Sequence, residues 1–417
     1  MKHNKQTDFF SCRLVLLTVL SFVLLLSIPH AVHAQEDSVF VSYEDYSSSW
    51  NRSIKSSLDN LLQGNLFQTS QVGIMVWDLD ADSAIYRYNE RQLMRPASTM
   101  KVITAVTALD QLGGSYEYRT SLSYKGVVEN GVLLGDVYCV GGFDPLFGAE
   151  DMAAFVGSLR ALGVDTIRGN IYADKSMKEG TTLGEGWCWD DDNPVLSPLL
   201  FEGKDMFMEQ FLNQLQSAGI YVDAFLGNAR EPVDAQRICT RRRSLDQVLL
   251  IMMKESDNLL AESVFYHIAA SSGNRPATTK DGRSVVKRLI NRLGLDPANY
   301  KIADGSGLSL YNYVTPELEV AMLRYASRKD EINVHLRPTL PVASVDGTLK
   351  QRMGGGSTRG NVCAKTGTVT GISSLAGYCT AGNGHRLCFS IINQGIITTK
   401  VGRDFQDKVC TILCETK

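Results

Sequence analysis

Histidine is scarce in this 417-residue chain, and its six copies form neither a catalytic-triad pattern nor a metal-ligand spacing. Histidine-driven hydrolysis and a histidine-held metal therefore have no support. An excess of charge of one sign is missing too. The 42 Lys and Arg face 45 Asp and Glu, a net of −3, which leaves no nucleic-acid footprint. There is no internal repeat and no low-complexity linker, so a solenoid or a string of tethered modules is excluded. Beyond residue 34 no apolar run is long enough to cross a bilayer.

What is present begins with a leader. Lys2, Lys5 and Arg13 precede the apolar run LVLLTVLSFVLLLSI, and AVHAQED follows, with Val32 and Ala34 as small residues before a cut. Residues 1–34 read as a secretory signal peptide; an uncleaved N-terminal anchor is the other reading. No cysteine follows the cut, which argues against a lipoprotein. Removing three bases and one acid takes the net charge from −3 to −5. The expectation is an exported protein of the periplasm or cell-wall space, with no transmembrane segment in the mature chain.

Nine cysteines occur, and Cys12 leaves with the leader. An even set of eight then remains in an exported chain. Their spacing resembles no zinc site, and their connectivity cannot be read. One pair can be argued. In GYCTAGNGHRLCFS, Asn383-Gly384 signals a two-residue hairpin. A turn centred there sets Cys379 opposite Cys388, close enough for a disulfide; two reduced, packed thiols are the alternative. Cys410 and Cys414 share a helix face and read as core.

Along the chain, residues 47–63 have helical spacing. QVGIMVWDLDADSAIYRYNE reads as two strands around an Asp-rich turn. A helix from Ser98 stops at Gly113-Gly114. Strand-like segments follow from 117, with a helix in AEDMAAFVGSLRALGV and a strand in IRGNIYADKS. A loop rich in Gly, Trp and Asp carries Asp190-Asp191-Asp192. Helical patterns return at 206–218, from 244 to about 271, at 279–293 and at 315–328. Arg241-Arg242-Arg243 reads as a solvated loop before a helix, and His267 as a structural residue on one. The end is a three-stranded meander and a helix near 399–414. Strands at both ends with helices between them give an α/β sandwich. It is built from residues 35–116 and 235–417, with a smaller unit inserted at 117–234.

The chemistry starts in RPASTMKVITAVTALDQLGG. Ser98 and Lys101 lie one turn apart on one face of a helix start. Serine alone is a poor nucleophile and needs a base. Lysine serves only when neutral, and burial and a neighbouring cation both push its pKa down. Such a site calls for a second lysine, and Lys365-Thr366-Gly367 supplies one on an apparent strand. Lys365 and Thr366 could grip a substrate carboxylate, and Gly367 would let a backbone approach closely. Between them, in KESDNLLAE, Ser256 could relay a proton to the leaving amine and Asn258 could hold a substrate amide. The backbone N–H groups of Ser98 and Thr368 suit an oxyanion. Singly these motifs are weak. Ser284 and Lys287 repeat the first spacing, and Ser49 with Asn51 and Ser272 with Asn274 repeat the second. Only Ser98/Lys101, Ser256/Asn258 and Lys365/Gly367 run in the order that serine acyl transfer of this type uses.

With these motifs the chain resembles the D-alanyl-D-alanine carboxypeptidase/endopeptidase family, the class C low-molecular-mass penicillin-binding proteins of peptidase family S13. The segments VENGVLLGDVYCVGGFDP, IRGNIYAD, ADGSGLSLYNYVTP and LPVASVDGTLKQRM also look like family segments. The resemblance implies an α+β fold of the serine β-lactamase/DD-peptidase type, with an antiparallel sheet, a helical subdomain and an inserted smaller α/β domain. It implies that Ser98 is acylated, Lys101 is the base, Ser256 the relay, Asn258 an amide contact, and Lys365 with Thr366 the carboxylate clamp. The implied substrates are D-Ala-D-Ala ends or D-Ala cross-links of peptidoglycan stem peptides, with β-lactam antibiotics as inhibitors. No cofactor and no metal is implied. Two departures stand out. Where family members often carry an arginine after DGSGLS, this chain has Leu310. The acid associated with that arginine in gripping the stem side chain, Asp144, is retained; a turn aspartate before Pro145 is its alternative reading. The insertion is also shortened near 203–206. The rival readings are a secreted serine β-lactamase and a cell-wall binding protein with a relic site.

Overall fold

Strand-like segments near both ends of the chain condense into one sheet in the computed structural model, which describes residues 49–190 and 192–417. The leader 1–34, positions 47 and 48 of the expected first helix, and Asp191 lie outside the described residues. The strands are β1 (Gln71–Asp78), β2 (Ser83–Tyr88), β8 (Cys363–Val369), β9 (Ile372–Thr380) and β10 (Arg386–Gln394). Their order is β2-β1-β10-β9-β8, antiparallel throughout. β9 and β10 are buried almost end to end, so both faces of the sheet are covered.

One face packs α1 (Ser49–Leu61) and α10 (Thr399–Glu415) through Ile54, Leu58, Val409 and Leu413. The other face meets a helical layer. It contains α2 (Met100–Leu112), α5 (Leu245–Lys254), α6 (Asn258–Ala270), α7 (Thr279–Arg292), α8 (Pro316–Ser327) and α9 (Asp330–Leu336). α2 is buried along ten of its thirteen residues. That is why its sequence reads apolar on nearly every side.

A second sheet joins β3 (Glu117–Glu129), β4 (Val132–Val140), β5 (Thr166–Asp174), β6 (Tyr221–Asn228) and β7 (Gln236–Ser244). Its order is β6-β5-β4-β3-β7, with β4, β5 and β6 parallel. α3 (Ala149–Ala161) and α4 (Phe207–Ser217) pack on it through Phe155, Phe207 and Phe211. Between β5 and α4 the chain reverses in a turn at Glu202-Gly203, with φ of 49° and 74°. Phe201 and Lys204 exchange both backbone hydrogen bonds there, in the stretch where the insertion was expected to be trimmed.

Three expectations are corrected. The arginine run 241–243 is not a solvated loop. It lies on β7, so the second sheet runs past residue 234 to Ser244. Arg241 and Arg243 both bind Asp151, at 2.6 and 2.8 Å, and Arg242 binds Glu117. An edge strand full of charge has no apolar alternation to announce it. Second, the pattern from 244 to 271 is two helices, broken at Glu255–Asp257, with Ser256 at φ 63°. Asp257 caps α6 by accepting the Leu260 N–H at 2.9 Å.

Third, the last hairpin has a three-residue loop, Gly382 to Gly384, with Gly384 at φ 90°. The extra residue pairs Cys379 with Leu387 and Cys388 with Tyr378. A slip of one turns the two cysteines to opposite faces of the sheet, and both are free thiols. Cys410 and Cys414 are buried in the core between α10 and the sheet. Asp190 and Asp192 are exposed. Among the described residues no helix is long and apolar enough to cross a membrane.

Candidate active site

Ser98 sits in a 3₁₀ turn, Ala97–Thr99, that leads into α2. Ala97 is left-handed at φ 49°, an uncommon conformation for a residue with a Cβ. Two hydroxyls hold the turn in it. Thr99 Oγ1 and Ser374 Oγ both donate to the Pro96 carbonyl, at 2.8 and 2.5 Å. Lys101 follows one turn later and is fully buried. Its Nζ lies 3.0 Å from Ser98 Oγ, 2.7 Å from Asn258 Oδ1 and 2.8 Å from the Ser306 carbonyl.

That arrangement suits a neutral amine. Two fixed acceptors, Asn258 Oδ1 and Ser306 O, take its two N–H bonds, and the lone pair is left facing the Ser98 hydroxyl. Burial drives the Lys101 pKa down to about 8, against the opposing pull of Asp304, Glu262 and Asp257.

Lys365, on β8, is also fully buried. Its Nζ donates to Ser256 Oγ and to the Thr366 carbonyl, each at 2.8 Å. Burial first, and then the Lys101 charge, hold its pKa well below the usual lysine range. The left-handed turn at Ser256 is what points the hydroxyl back toward β8 rather than along a helix face. Gly367 pairs with Ser374 on β9. A Cβ there would meet Ser374 Oγ, and would come within 2.7 Å of the Pro96 carbonyl and 3.0 Å of the Ser98 nitrogen. The close approach that this glycine permits is thus to the segment carrying Ser98. Thr368 is exposed.

All three sequence motifs meet here. Their polar contacts form two groups, Lys101 with Ser98 and Asn258, and Lys365 with Ser256, set side by side by the approach of Gly367 to the Ser98 nitrogen. Asp144 joins a different group. Its buried carboxylate accepts the Leu146 N–H at 2.9 Å and lies 3.4 Å from Arg243 Nε. Burial raises its pKa.

The model of the D-Ala-D-Ala carboxypeptidase 3 (S13) family matches residues 54–200 and 195–416. This chain belongs to the S13 family. D-alanyl-D-alanine carboxypeptidase DacB of Haemophilus influenzae is 27% identical over 422 residues, covering 81% of this chain and 88% of that one. The crystal structure of penicillin binding protein 4 from Haemophilus influenzae aligns with a TM-score of 0.78 at 24% identity, over 85% of this chain and 97% of that one. The same protein complexed with a β-lactam aligns at 0.72 and 25%, over 85% and 98%.

The S13 chain also carries site residues that motif spacing does not reveal. Glu262 lies one turn after Asn258 on α6 and is buried. It accepts the N–H groups of Gly305 and Ser306, at 3.0 and 2.8 Å, and so fixes the loop whose carbonyl holds Lys101. Burial raises its pKa to about 8. Asp304 binds the same loop through the N–H groups of Gly307 and Ser309, and accepts Trp187 Nε1–H at 2.9 Å. Thr348 accepts the Thr366 hydroxyl at 2.7 Å. Their one sequence signal is that Asp304 and Ser306 fall in ADGSGLSLYNYVTP, and Thr348 in LPVASVDGTLKQRM.

Proposed function

We propose that this S13 chain is a serine DD-peptidase. It hydrolyses D-Ala-D-Ala ends or D-Ala cross-links of peptidoglycan stem peptides through a Ser98 acyl-enzyme, and penicillin acylates the same serine. The observation that carries the reading is Lys101. A lysine wholly out of water, its N–H bonds taken by Asn258 and Ser306, faces a serine hydroxyl 3.0 Å away.

In the forward step Lys101 takes the Ser98 proton as Oγ bonds to the carbonyl carbon of the penultimate D-Ala. The negative oxygen that forms lies at the start of α2, where the Ser98 N–H and the Thr368 N–H donate to it. Lys365 and Thr366 bind the substrate's terminal carboxylate, with Thr348 orienting Thr366. Asn258 contacts the substrate amide. Ser256, hydrogen-bonded to Lys365, passes its proton to the departing amine as the C–N bond breaks and takes in its place the proton that Lys101 removed from Ser98, so Lys101 is again neutral in the acyl-enzyme. Water then cleaves the acyl ester by the reverse proton path. No cofactor takes part. Asp144 is assigned to its turn rather than to substrate. Residues 1–34 direct export to the periplasm or cell-wall space.

Release of D-Ala from a synthetic pentapeptide ending in D-Ala-D-Ala, followed by chromatography, tests the activity. The wild-type chain is expected to release it and Ser98→Ala to release none. Release by the Ser98→Ala chain would refute the nucleophile.

A further inference from the structure

A cleft of about 1310 Å³ opens at the far end of α2 and α6 from Ser98. Ser98 and Asn258 stand at the N-terminal ends of those helices, while Leu112, His267 and Ala270, near their C-terminal ends, line the cleft. At 1.5 Å per residue the two places are about 20 Å apart. The cleft also lies beyond the carboxyl ends of the parallel strands. Val140 ends β4, Asp174 ends β5, and Arg230 follows β6.

Its charges are unevenly satisfied. Each carboxylate in the wall has partners. Glu117 pairs with Arg242, Glu231 with Arg237 at 2.8 Å, and Asp174 accepts the N–H groups of Ser176 and Glu231. Two guanidiniums in the same lining, Arg230 and Arg275, are exposed. Neither makes an ion pair or a side-chain hydrogen bond among the described residues. Met177 and Val233 add apolar surface. His267 contributes no charge: its ring nitrogens are bound to Tyr116 Oη and the Gly142 carbonyl, and burial keeps it neutral. The space is too wide to cage an inorganic anion, and its mix of two free cations with apolar wall fits an extended ligand.

We propose that this cleft is a second, non-hydrolytic binding site for a carboxylate-bearing peptide, namely another stem of the polymer on which Ser98 acts. The inference rests on the DD-peptidase reading. A polymer that repeats the same acidic stem can occupy both places at once. Binding at the second site raises the effective concentration of stems at the first.

The test uses the full chain acylated by penicillin, which closes the catalytic site. Formation of the adduct is confirmed by mass. The probe is the fragment L-Ala-γ-D-Glu-L-Lys-D-Ala, which lacks the scissile bond, titrated calorimetrically. Saturable one-to-one binding is expected. It should weaken at least tenfold in an Arg230→Ala/Arg275→Ala double variant whose penicillin acylation rate is unchanged. No binding to the acylated chain, or equal binding by the double variant, would overturn the proposal. So would inorganic phosphate displacing the peptide at equal concentration, which marks a small-anion site. Failure of the adduct to form strikes the DD-peptidase reading instead. The titration is then run on the Ser98→Ala chain, where the same outcomes decide.

Discussion

Ser98 with Lys101 and Ser284 with Lys287 have identical spacing on two helices of one layer, yet only the first pair is placed for chemistry. Lys101 is sealed from water and faces its serine. Lys287 is exposed, and Ser284 turns its hydroxyl to the Lys280 carbonyl at 2.9 Å. The Ser-x-Asn pairs divide the same way. Asn258 reaches Lys101, while Asn274 reaches Asp281 on the surface. Spacing places two side chains on one face. Burial is what makes the lysine a base, because it removes the water that would otherwise favour the ammonium.

Deleting each lysine in turn should separate the two pairs most widely. Lys101→Ala should slow penicillin acylation by about 10²–10⁴-fold, the usual weight of a positioned base, while Lys287→Ala leaves it within about twofold. Time-resolved intact mass reads both. Equal loss in the two variants would make spacing, not burial, the cause. Lys365→Met comes next, with about a 10²-fold loss expected from removing one electrostatic partner of the reacting group.

The pH dependence of acylation follows from the same burial. Burial lowers the Lys101 pKa to about 8. The reactive form is the neutral one, so acylation should rise roughly tenfold per pH unit below that value and level off above it. A profile flat from pH 6 to 9 would remove Lys101 from the step. The smallest effect is structural. Gly367→Ala drives a Cβ against Ser374 Oγ, the Pro96 carbonyl and the Ser98 nitrogen. It should cost about 1–3 kcal/mol of stability by overpacking, seen as a lower denaturation midpoint. An unchanged midpoint would mean that the strand can yield there.

The site was legible in the sequence to the extent that it rests on three short motifs in order. Ser98, Lys101, Ser256, Asn258 and Lys365 are named by spacing, and folding brings them together. Glu262 and the Ser306 carbonyl were not legible. A buried acid one turn along a helix looks like any other, and a backbone oxygen has no sequence signature. The break at Ser256 was hidden because apolar spacing runs through it on both sides. β7 was hidden because its arginines are matched by Asp151 and Glu117 from other elements. The cysteine pair shows how a hairpin signal can place a turn and still miss its length by one residue. From the sequence, Lys365 helps burial keep Lys101 neutral. In the structure burial is the first cause for both lysines; at Lys101 the remaining influences are carboxylates that oppose it, and the charge of one lysine bears only on the other, Lys365.

The central claim is that Ser98, activated by a buried neutral lysine, forms the acyl-enzyme. Its most direct test is the intact mass of the chain over time with a penicillin, with Ser98→Ala and Ser284→Ala alongside. One lasting adduct is expected on the wild-type and Ser284→Ala chains and none on Ser98→Ala. An adduct on Ser98→Ala, or none on the wild type, would contradict it.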